Sequence, residues 1–204
     1  MNYKISKKQV VCTGIALVFA LCLTSILAQA KELKLQENLA KEVFRFHVLA
    51  NSDSERDQAL KMQVKEKVIA YMKEQLPQSD SVEMTKAWAN AHLNDIKKVA
   101  SQTLRQEGCE DEVRVKITNC YFPDKTYGDI TFPHGNYDAL RIEIGEARGQ
   151  NWWCVLYPNL CFIDAVHAVV PEEGKEELKE VLNEEEYEMV TATSRFKIKW
   201  FFFR

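Results

Sequence analysis

The fold is decided by the stretch Arg45-Phe46-His47-Val48-Leu49-Ala50-Asn51-Ser52-Asp53-Ser54-Glu55. Between residues 44 and 50 the apolar side chains at even positions fall on one face, a pattern typical of a buried strand. In the polar residues that follow, Ser52 precedes Glu55 by three positions, which is the spacing of a capping box at the start of a helix. The sequence therefore predicts a strand-to-helix corner at about residue 52.

His47 and Asp53 flank this corner, and catalytic residues often lie at strand ends, so the two could act as a general acid and base. A structural role explains both residues more simply. A carboxylate in the first helical turn is favoured by the helix dipole, and His47 is one residue on a strand face. We expect structural roles and keep an exported hydrolase as the alternative.

Two helices are predicted after the corner. Apolar residues recur at helical spacing over residues 53–76, and Pro77 ends that helix. Residues 78–81 form a turn with good capping residues, and a second helix extends from there to about Glu107, where Gly108 supplies the C-terminal cap. The short connection indicates an antiparallel helix pair.

The second half of the chain changes to a period of two, which predicts strands over residues 113–118, 127–132 and 138–144. A tight turn at residues 133–136 joins the last two strands. Arg141 and Glu143 alternate with apolar residues, which indicates one face in contact with water. The predicted fold class is α+β, with an antiparallel or mixed sheet packed against a long helical hairpin.

Two aromatic stretches are candidates for partner contacts. Residues 152–157 lack polar alternation, so they form either a central strand covered on both faces or a patch that meets a partner, with Trp152 and Trp153 as its anchors. The basic, aromatic residues 195–204 form either an edge strand or a contact with a membrane or partner through Trp200 and Phe202.

Asp164 and His167 lie three residues apart in an apolar segment, a neighbour spacing on a helix. They form a second pair for the hydrolase alternative, although no third partner is evident and a hydrogen bond on the helix surface explains the spacing. Residues 171–189 predict an acidic helix in which Glu184, Glu185 and Glu186 are solvated.

The N-terminus predicts export. Three lysines precede an uncharged stretch over residues 10–28, and Ala28-Gln29-Ala30 has the form of a signal-peptidase site. We expect cleavage after Ala30, although nineteen helical residues reach about 28 Å and could remain in the bilayer as an anchor. Residues 1–30 are then the signal peptide or anchor, 31–42 a spacer and 43–204 a single exported domain.

Charge argues against a nucleic-acid partner. The whole chain has a formal net charge of −3, and residues 1–30 contain three lysines and no acid, so the exported part is at about −6. Binding to a phosphate backbone needs clustered Lys and Arg, so an acidic body disfavours it.

Four cysteines remain in the exported part, at positions 109, 120, 154 and 161. An even number outside the cytosol favours disulfides, and three pairings are open. Cys154 and Cys161 are the closest pair along the chain. Zinc binding and thiol exchange are the alternatives, but no Cys-x-x-Cys spacing supports either.

No motif for catalysis or cofactor binding stands out. The sequence has no Gly-x-Ser-x-Gly, no Walker loop, no dinucleotide fingerprint and no His-Glu-x-x-His. The residues alone predict an exported, acidic binding protein that is not an enzyme and needs no cofactor.

Three stretches resemble the stage II sporulation protein R family of spore-forming bacteria. They are Phe46-His47-Val48-Leu49-Ala50-Asn51-Ser52-Asp53-Ser54 with Asp57-Gln58-Ala59-Leu60-Lys61, then Tyr127-Gly128-Asp129, and then Ala139-Leu140-Arg141 through Gly145 to Asn151-Trp152-Trp153-Cys154-Val155-Leu156-Tyr157-Pro158 with Cys161-Phe162. The resemblance spans about residues 43–166, and the Asn-Trp-Trp-Cys block is its specific part. The aromatic C-terminus lies outside it.

The resemblance implies a signalling protein made in the forespore and exported into the space between forespore and mother cell. It further implies activation of a membrane-embedded aspartic protease in the mother-cell membrane, which then cleaves the precursor of a mother-cell sigma factor. No functional residue is carried over from the family. The expected partner is therefore that protease, and the N-terminal segment is the expected membrane contact before cleavage.

Overall fold

A computed structural model of the chain describes residues 7–77, 81–159, 161, 170 and 172–191. These ranges contain six helices and six strands. In chain order they are α1 (Lys7–Glu42), β1 (Phe44–Leu49), α2 (Glu55–Gln75), α3 (Val82–Ala91), α4 (Leu93–Gln106), β2 (Val113–Phe122), β3 (Lys125–Tyr127), β4 (Ile130–Phe132), β5 (Gly135–Ile144), β6 (Asn151–Tyr157), α5 (Glu172–Val181) and α6 (residues 184–191).

β1 and β5 form the centre of a four-stranded sheet with the order β2-β5-β1-β6. β1 runs parallel to β5 and antiparallel to β6, and β2 runs antiparallel to β5. β3 and β4 form a separate antiparallel pair, the β3–β4 hairpin. The sheet is mixed and packs with helices, which confirms the predicted α+β class.

The two faces of the sheet bury different hydrophobic clusters. We call the side packed against α2, α3 and α4 the helix face, and the side that carries the β3–β4 hairpin the hairpin face. The helix face buries mainly aliphatic residues, including Phe46, Val48, Val64, Val68, Ile96, Leu140 and Ile142. The hairpin face buries a more aromatic set, including Leu39, Phe122, Phe132, Tyr137, Val155 and Leu178.

α1 continues without a break from the predicted export segment through the predicted spacer. Its apolar first part is exposed, with Phe19 at 70%, and it is the one helix of the described chain that is long and apolar enough to cross a membrane, a test that N-terminal signal sequences also pass. Leu39 near its end is fully buried in the hairpin-face cluster, and Lys31 pairs with Glu185 at 2.9 Å. Residues 31–42 therefore contact the body through Lys31 and Leu39, and their role as a spacer stays a prediction.

The second predicted helix is wrong in one respect, because it divides at His92 into α3 and α4. The His92 ring stacks on Trp88 with centroids 4.3 Å apart, and its Nδ1 lies 2.8 Å from the Trp88 carbonyl oxygen. These contacts hold His92 outside helical geometry. As a result α3 packs onto β1 and β2, while α4 packs onto α2 and β2.

The predicted tight turn at residues 133–136 is also wrong. Strand 127–132 divides into β3 and β4 around Gly128, whose φ of +58° suits glycine, and β5 pairs with β2 instead of β4. Gly135 lies in the first pair of that ladder, opposite Phe122. A Cβ at Gly135 would meet the end of the Gln36 side chain of α1, which is flexible enough to move aside.

The acidic C-terminal segment forms two helices rather than the one predicted. Asn183 and Glu186 make a reciprocal capping box at the start of α6: the Glu186 amide donates to Asn183 Oδ1 at 3.0 Å, and the Asn183 amide donates to Glu186 Oε2 at 3.1 Å. Glu186 is consequently only 3% exposed. The prediction that Glu186 is solvated is wrong, because its carboxylate caps a helix.

Candidate functional site

The corner between β1 and α2 begins the site, and its helix cap differs from the prediction. Ser54, not Ser52, is the N-cap, since its hydroxyl accepts a hydrogen bond from the Asp57 amide at 3.1 Å. The Ser52 hydroxyl instead donates to Asp57 Oδ2 at 2.6 Å and accepts from the Ser54 amide. Asn51 donates to the same carboxylate at 3.0 Å. These hydrogen bonds, that from Ser52 above all, lower the pKa of Asp57.

The loop between β5 and β6 closes over this corner. Asn51 Oδ1 accepts from the Glu146 amide at 2.9 Å, and the Gly149 amide donates to the Ala50 carbonyl at 3.0 Å. A Cβ on Gly149 would overlap the Ser52 carbonyl, so the loop approaches as closely as glycine allows. The motif residues of the corner and of this loop therefore hold each other in place.

The structure does not join His47 and Asp53 as an acid/base pair. Asp53 Oδ1 accepts from the Gln150 amide at 2.6 Å and so belongs to the corner; it also precedes α2 and is not in its first turn. His47 lies on the hairpin face and is 4% exposed. Within the described chain, no hydrogen bond of ordinary geometry reaches either ring nitrogen of His47.

The surroundings of His47 oppose its protonation. Its ring is stacked with Trp153 at a centroid distance of 5.6 Å and tilted against Phe122 at 5.5 Å. Burial first, and then the positive charge of Arg141, lower the pKa of His47 from 6.5 to about 4, while Asn151 opposes the change. At neutral pH the imidazole is uncharged.

Arg45, two residues before His47 on the same face, is fully buried. Its guanidinium carbon lies within 6 Å of four ring centroids, at 4.5 Å from Phe122, 5.0 Å from Tyr137, 5.2 Å from Phe132 and 5.9 Å from Tyr127. Nε donates to the Cys154 carbonyl and Nη2 to the Tyr127 hydroxyl. No carboxylate in the described chain pairs with Arg45, so the aromatic cage replaces a counter-ion.

Glu143 is the second buried charge on the hairpin face, at 7% exposure. Its carboxylate lies 2.7 Å from Arg141 Nε, 3.0 Å from Lys116 Nζ and 3.2 Å from Arg114 Nε. Burial alone would raise the pKa of Glu143, but the hydrogen bonds from Lys116 and Arg114 lower it overall. The prediction that Glu143 contacts water is wrong, because three cations cover it.

The two candidate tryptophans lie on β6, which is an edge strand of the described sheet and not the predicted central strand. Trp152 on the helix face meets Phe46 edge-on at 5.8 Å, with Lys65 Nζ 5.3 Å from its ring centroid. Trp153 on the hairpin face stacks on His47, with Lys125 Nζ at 3.8 Å. Both rings are half-buried, and their contact with a partner stays a prediction.

A disulfide joins Cys154 to Cys161, one of the three pairings that the sequence left open. Cys109 and Cys120 are free thiols whose pKa values are raised by burial. Among the described residues, no group of three or more His, Cys, Asp or Glu side chains could hold a metal ion.

Several predicted site residues are not placed here. Asp164, His167, Trp200 and Phe202 lie outside the described residues. Ala30, the predicted last residue before cleavage, lies within α1, and its cleavage stays a prediction. Sequence reasoning missed Arg45 and Glu143, whose only local signal is a charge inside a strand.

These features define a class of protein: an α+β body with a disulfide and an apolar N-terminal helix. The polar residues of its main sequence motif form the hydrogen bonds of the corner between β1 and α2. The family model for stage II sporulation protein R (spore_II_R) matches residues 40–167, more than half of the chain. Stage II sporulation protein R of Bacillus subtilis (strain 168) is 34% identical over 192 residues, which cover 91% of this chain and 85% of that protein. The chain belongs to the stage II sporulation protein R family.

No solved structure matches the chain significantly. The family identifies a sporulation protein, and the family name describes no enzymatic activity. The homologue, the apolar α1 and the disulfide together indicate a secreted or extracytoplasmic protein.

Proposed function

We propose that this chain is exported from the forespore into the space between forespore and mother cell, where it activates a membrane-embedded aspartic protease. The activated protease then cleaves a sigma-factor precursor in the mother cell. The observation that carries the proposal is the 34% identity to a stage II sporulation protein R across 91% of this chain. The apolar α1 supports export.

Activation by contact, rather than catalysis, is supported by what the polar residues of the motif do. Asn51, Ser52 and Asp57 bond to one another, and Asp53 bonds to the Gln150 amide. These hydrogen bonds give each of these side chains a structural role that needs no substrate. Trp152 and Trp153 on the edge strand are the large, half-buried side chains that commonly anchor protein contacts.

The test reconstitutes cleavage in a non-sporulating bacterial host that expresses the full chain, the protease and the precursor. We expect precursor cleavage with the full chain and none without it. Trp153→Ala should slow cleavage at least about tenfold, since an aromatic anchor contributes more than about 1.4 kcal/mol to binding. Tyr121→Ala is the matched control, because Tyr121 is an aromatic residue that is 60% exposed and lies on β2, away from β6. With this variant the precursor should be cleaved at the unaltered rate.

Failure of the full chain to trigger cleavage would overturn the proposal. The same assay tests the hydrolase alternative with a variant that combines Asp164→Asn and His167→Ala. We expect unchanged cleavage from this variant. Loss of cleavage with an unaltered melting temperature would favour the hydrolase.

A further inference from the structure

A row of polar side chains crosses the hairpin face and is exposed at its ends but buried at His47 in the middle. The strand register places Lys116 of β2 beside Arg141 of β5, Arg141 beside His47 of β1, and His47 beside Trp153 of β6. Lys116 is 52% exposed and Arg141 24%. We call this region the basic patch, and define it by Arg114, Lys116, Lys125, Arg141 and Trp153.

Positive charge is in excess on the basic patch. Two carboxylates of the described chain pair with its four cations: Glu143 pairs with Arg114, Lys116 and Arg141, and Glu112 pairs with Arg114. The fourth, Lys125, lies over the Trp153 ring. The exported part of the chain is otherwise acidic, so this concentration of cations is a local exception to the charge of the molecule.

Polar atoms without a partner lie beside these cations. The Trp153 indole nitrogen, which can only donate, has no hydrogen-bond partner in the described chain. Asn151 Oδ1 adds one unpaired acceptor at the margin. These atoms are buried, so a partner's carboxylates would reach the exposed cations Lys116 and Arg141 and not the buried rings.

We propose that the basic patch binds an acidic, extended segment of the partner protein, whose Asp or Glu carboxylates accept from Lys116, Arg141 and Lys125. This inference rests on the proposed function. The row crosses four strands, about 14 Å at the usual strand spacing, which suits several carboxylates along a chain better than one small anion. Electrostatic complementarity of this kind chiefly sets partner choice and association rate.

The chain's own C-terminus is a poor occupant of the basic patch. Residues 195–204 contain Arg195, Lys197, Lys199 and Arg204 and no acid, and residues 162–169 contain a single acid, Asp164. Like charges would repel the C-terminal residues from the patch. An acidic segment from another protein meets the charge requirement, and these two stretches do not.

The binding test uses the full chain in a neutral detergent and a fluorescein-labelled decapeptide in which five Glu alternate with apolar residues. We expect it to bind at least tenfold more tightly than the same peptide with Gln at each Glu position. Combining Lys116→Gln with Lys125→Gln should weaken Glu-peptide binding at least tenfold. The matched control, Lys97→Gln with Lys98→Gln, removes two exposed lysines from α4 and should bind as the unaltered chain does.

A charge-preserving variant, Lys116→Arg with Lys125→Arg, should retain binding and so separates loss of charge from loss of fold. Equal binding of the Glu and Gln peptides would overturn the proposal, whatever the variants do. Binding to anionic phospholipid vesicles without binding to the Glu peptide would overturn it as well.

The cleavage assay separates this inference from the proposed function. Full cleavage with Lys116→Gln and Lys125→Gln would overturn the basic patch as the contact and leave the activator function standing. Absence of cleavage with the unaltered chain would instead overturn the activator function. We expect the double variant to cleave at least tenfold more slowly and its α4 control to be unaffected.

Discussion

The two faces of the central sheet differ in how they use burial. On the helix face, Phe46 and Val48 belong to a cluster of buried, mainly aliphatic side chains that includes residues of α2 and α4. On the hairpin face, the same strand buries Arg45 and His47 among aromatic rings. One strand therefore supports two environments, because successive side chains point to opposite faces.

The difference shows which face of the sheet stabilises the fold and which face holds buried polar and charged groups. Aliphatic burial stabilises in proportion to the area removed from water, whereas burial of a cation costs free energy unless other groups replace its hydration. The helix face fits the first description. The hairpin face, with a caged arginine, a neutral histidine and a shared carboxylate, fits the second.

The largest expected effect tests the helix face. The Phe46 side chain is fully buried, and its ring centroid lies 5.8 Å from that of Trp152. Phe46→Ala should lower the free energy of unfolding by about 3–5 kcal/mol, because it leaves a cavity in close-packed surroundings. Urea unfolding followed by circular dichroism measures this. A loss below about 1 kcal/mol would show that the helix face is loosely packed.

The next effect sharpens the contrast through pH. Folding lowers the pKa of His47 from 6.5 to about 4, so the folded state favours the neutral ring. That contribution is complete above pH 6.5 and is lost as pH falls toward 4, which amounts to about 3 kcal/mol. Between pH 7 and pH 4 the free energy of unfolding should therefore decrease more in the unaltered chain than in the His47→Leu variant.

Carboxylates and the other histidines titrate in both chains, so the difference between the two pH profiles isolates His47. Parallel profiles would mean that the folded protein accepts a proton on His47 without penalty. The hairpin face would then be wetter than its buried side chains indicate.

The smallest expected effect concerns Arg45. Arg45→Met keeps most of the volume and removes the charge, so the relief of cation burial offsets the lost ring contacts and the hydrogen bonds to Cys154 and Tyr127. We expect a change within about 1.5 kcal/mol in the free energy of unfolding. Arg45→Ala is the volume control and should cost about 3 kcal/mol or more. Equal losses in both variants would show that the guanidinium itself stabilises the cage.

Much of the fold followed from local patterns in the sequence. The buried strand at residues 44–50, the helix that follows and the apolar N-terminal segment depend on periodicity and composition over neighbouring residues. The break at His92 and the reassigned turn at residues 133–136 could not be predicted this way. The connection at residues 133–136 follows from the pairing of β5 with β2, which joins residues far apart in the chain. The break at His92 accompanies its contacts with Trp88, whose four-residue spacing is also found inside continuous helices.

The candidate site divides in the same way. Trp153 and His47 stand out in the sequence by residue type, whereas Lys116, Lys125 and Arg141 look like ordinary solvent-facing charges. Strand register brings Lys116, Arg141, His47 and Trp153 into one row. The alternation of residues 139–144 also predicted that one face of this strand contacts water. That prediction is wrong for Glu143, which is buried under three cations.

By itself the sequence determined an apolar N-terminal helix, an α+β class, a strand-to-helix corner and a family resemblance, since all of these depend on residues that are close along the chain. Tertiary structure alone decided that β6 lies at an edge, that Arg45 sits in an aromatic cage and that scattered cations form one patch. The physical reason is that burial and charge pairing depend on distances in space. Arg45 and Phe122, 77 positions apart in the chain, come within 4.5 Å only after the sheet has formed.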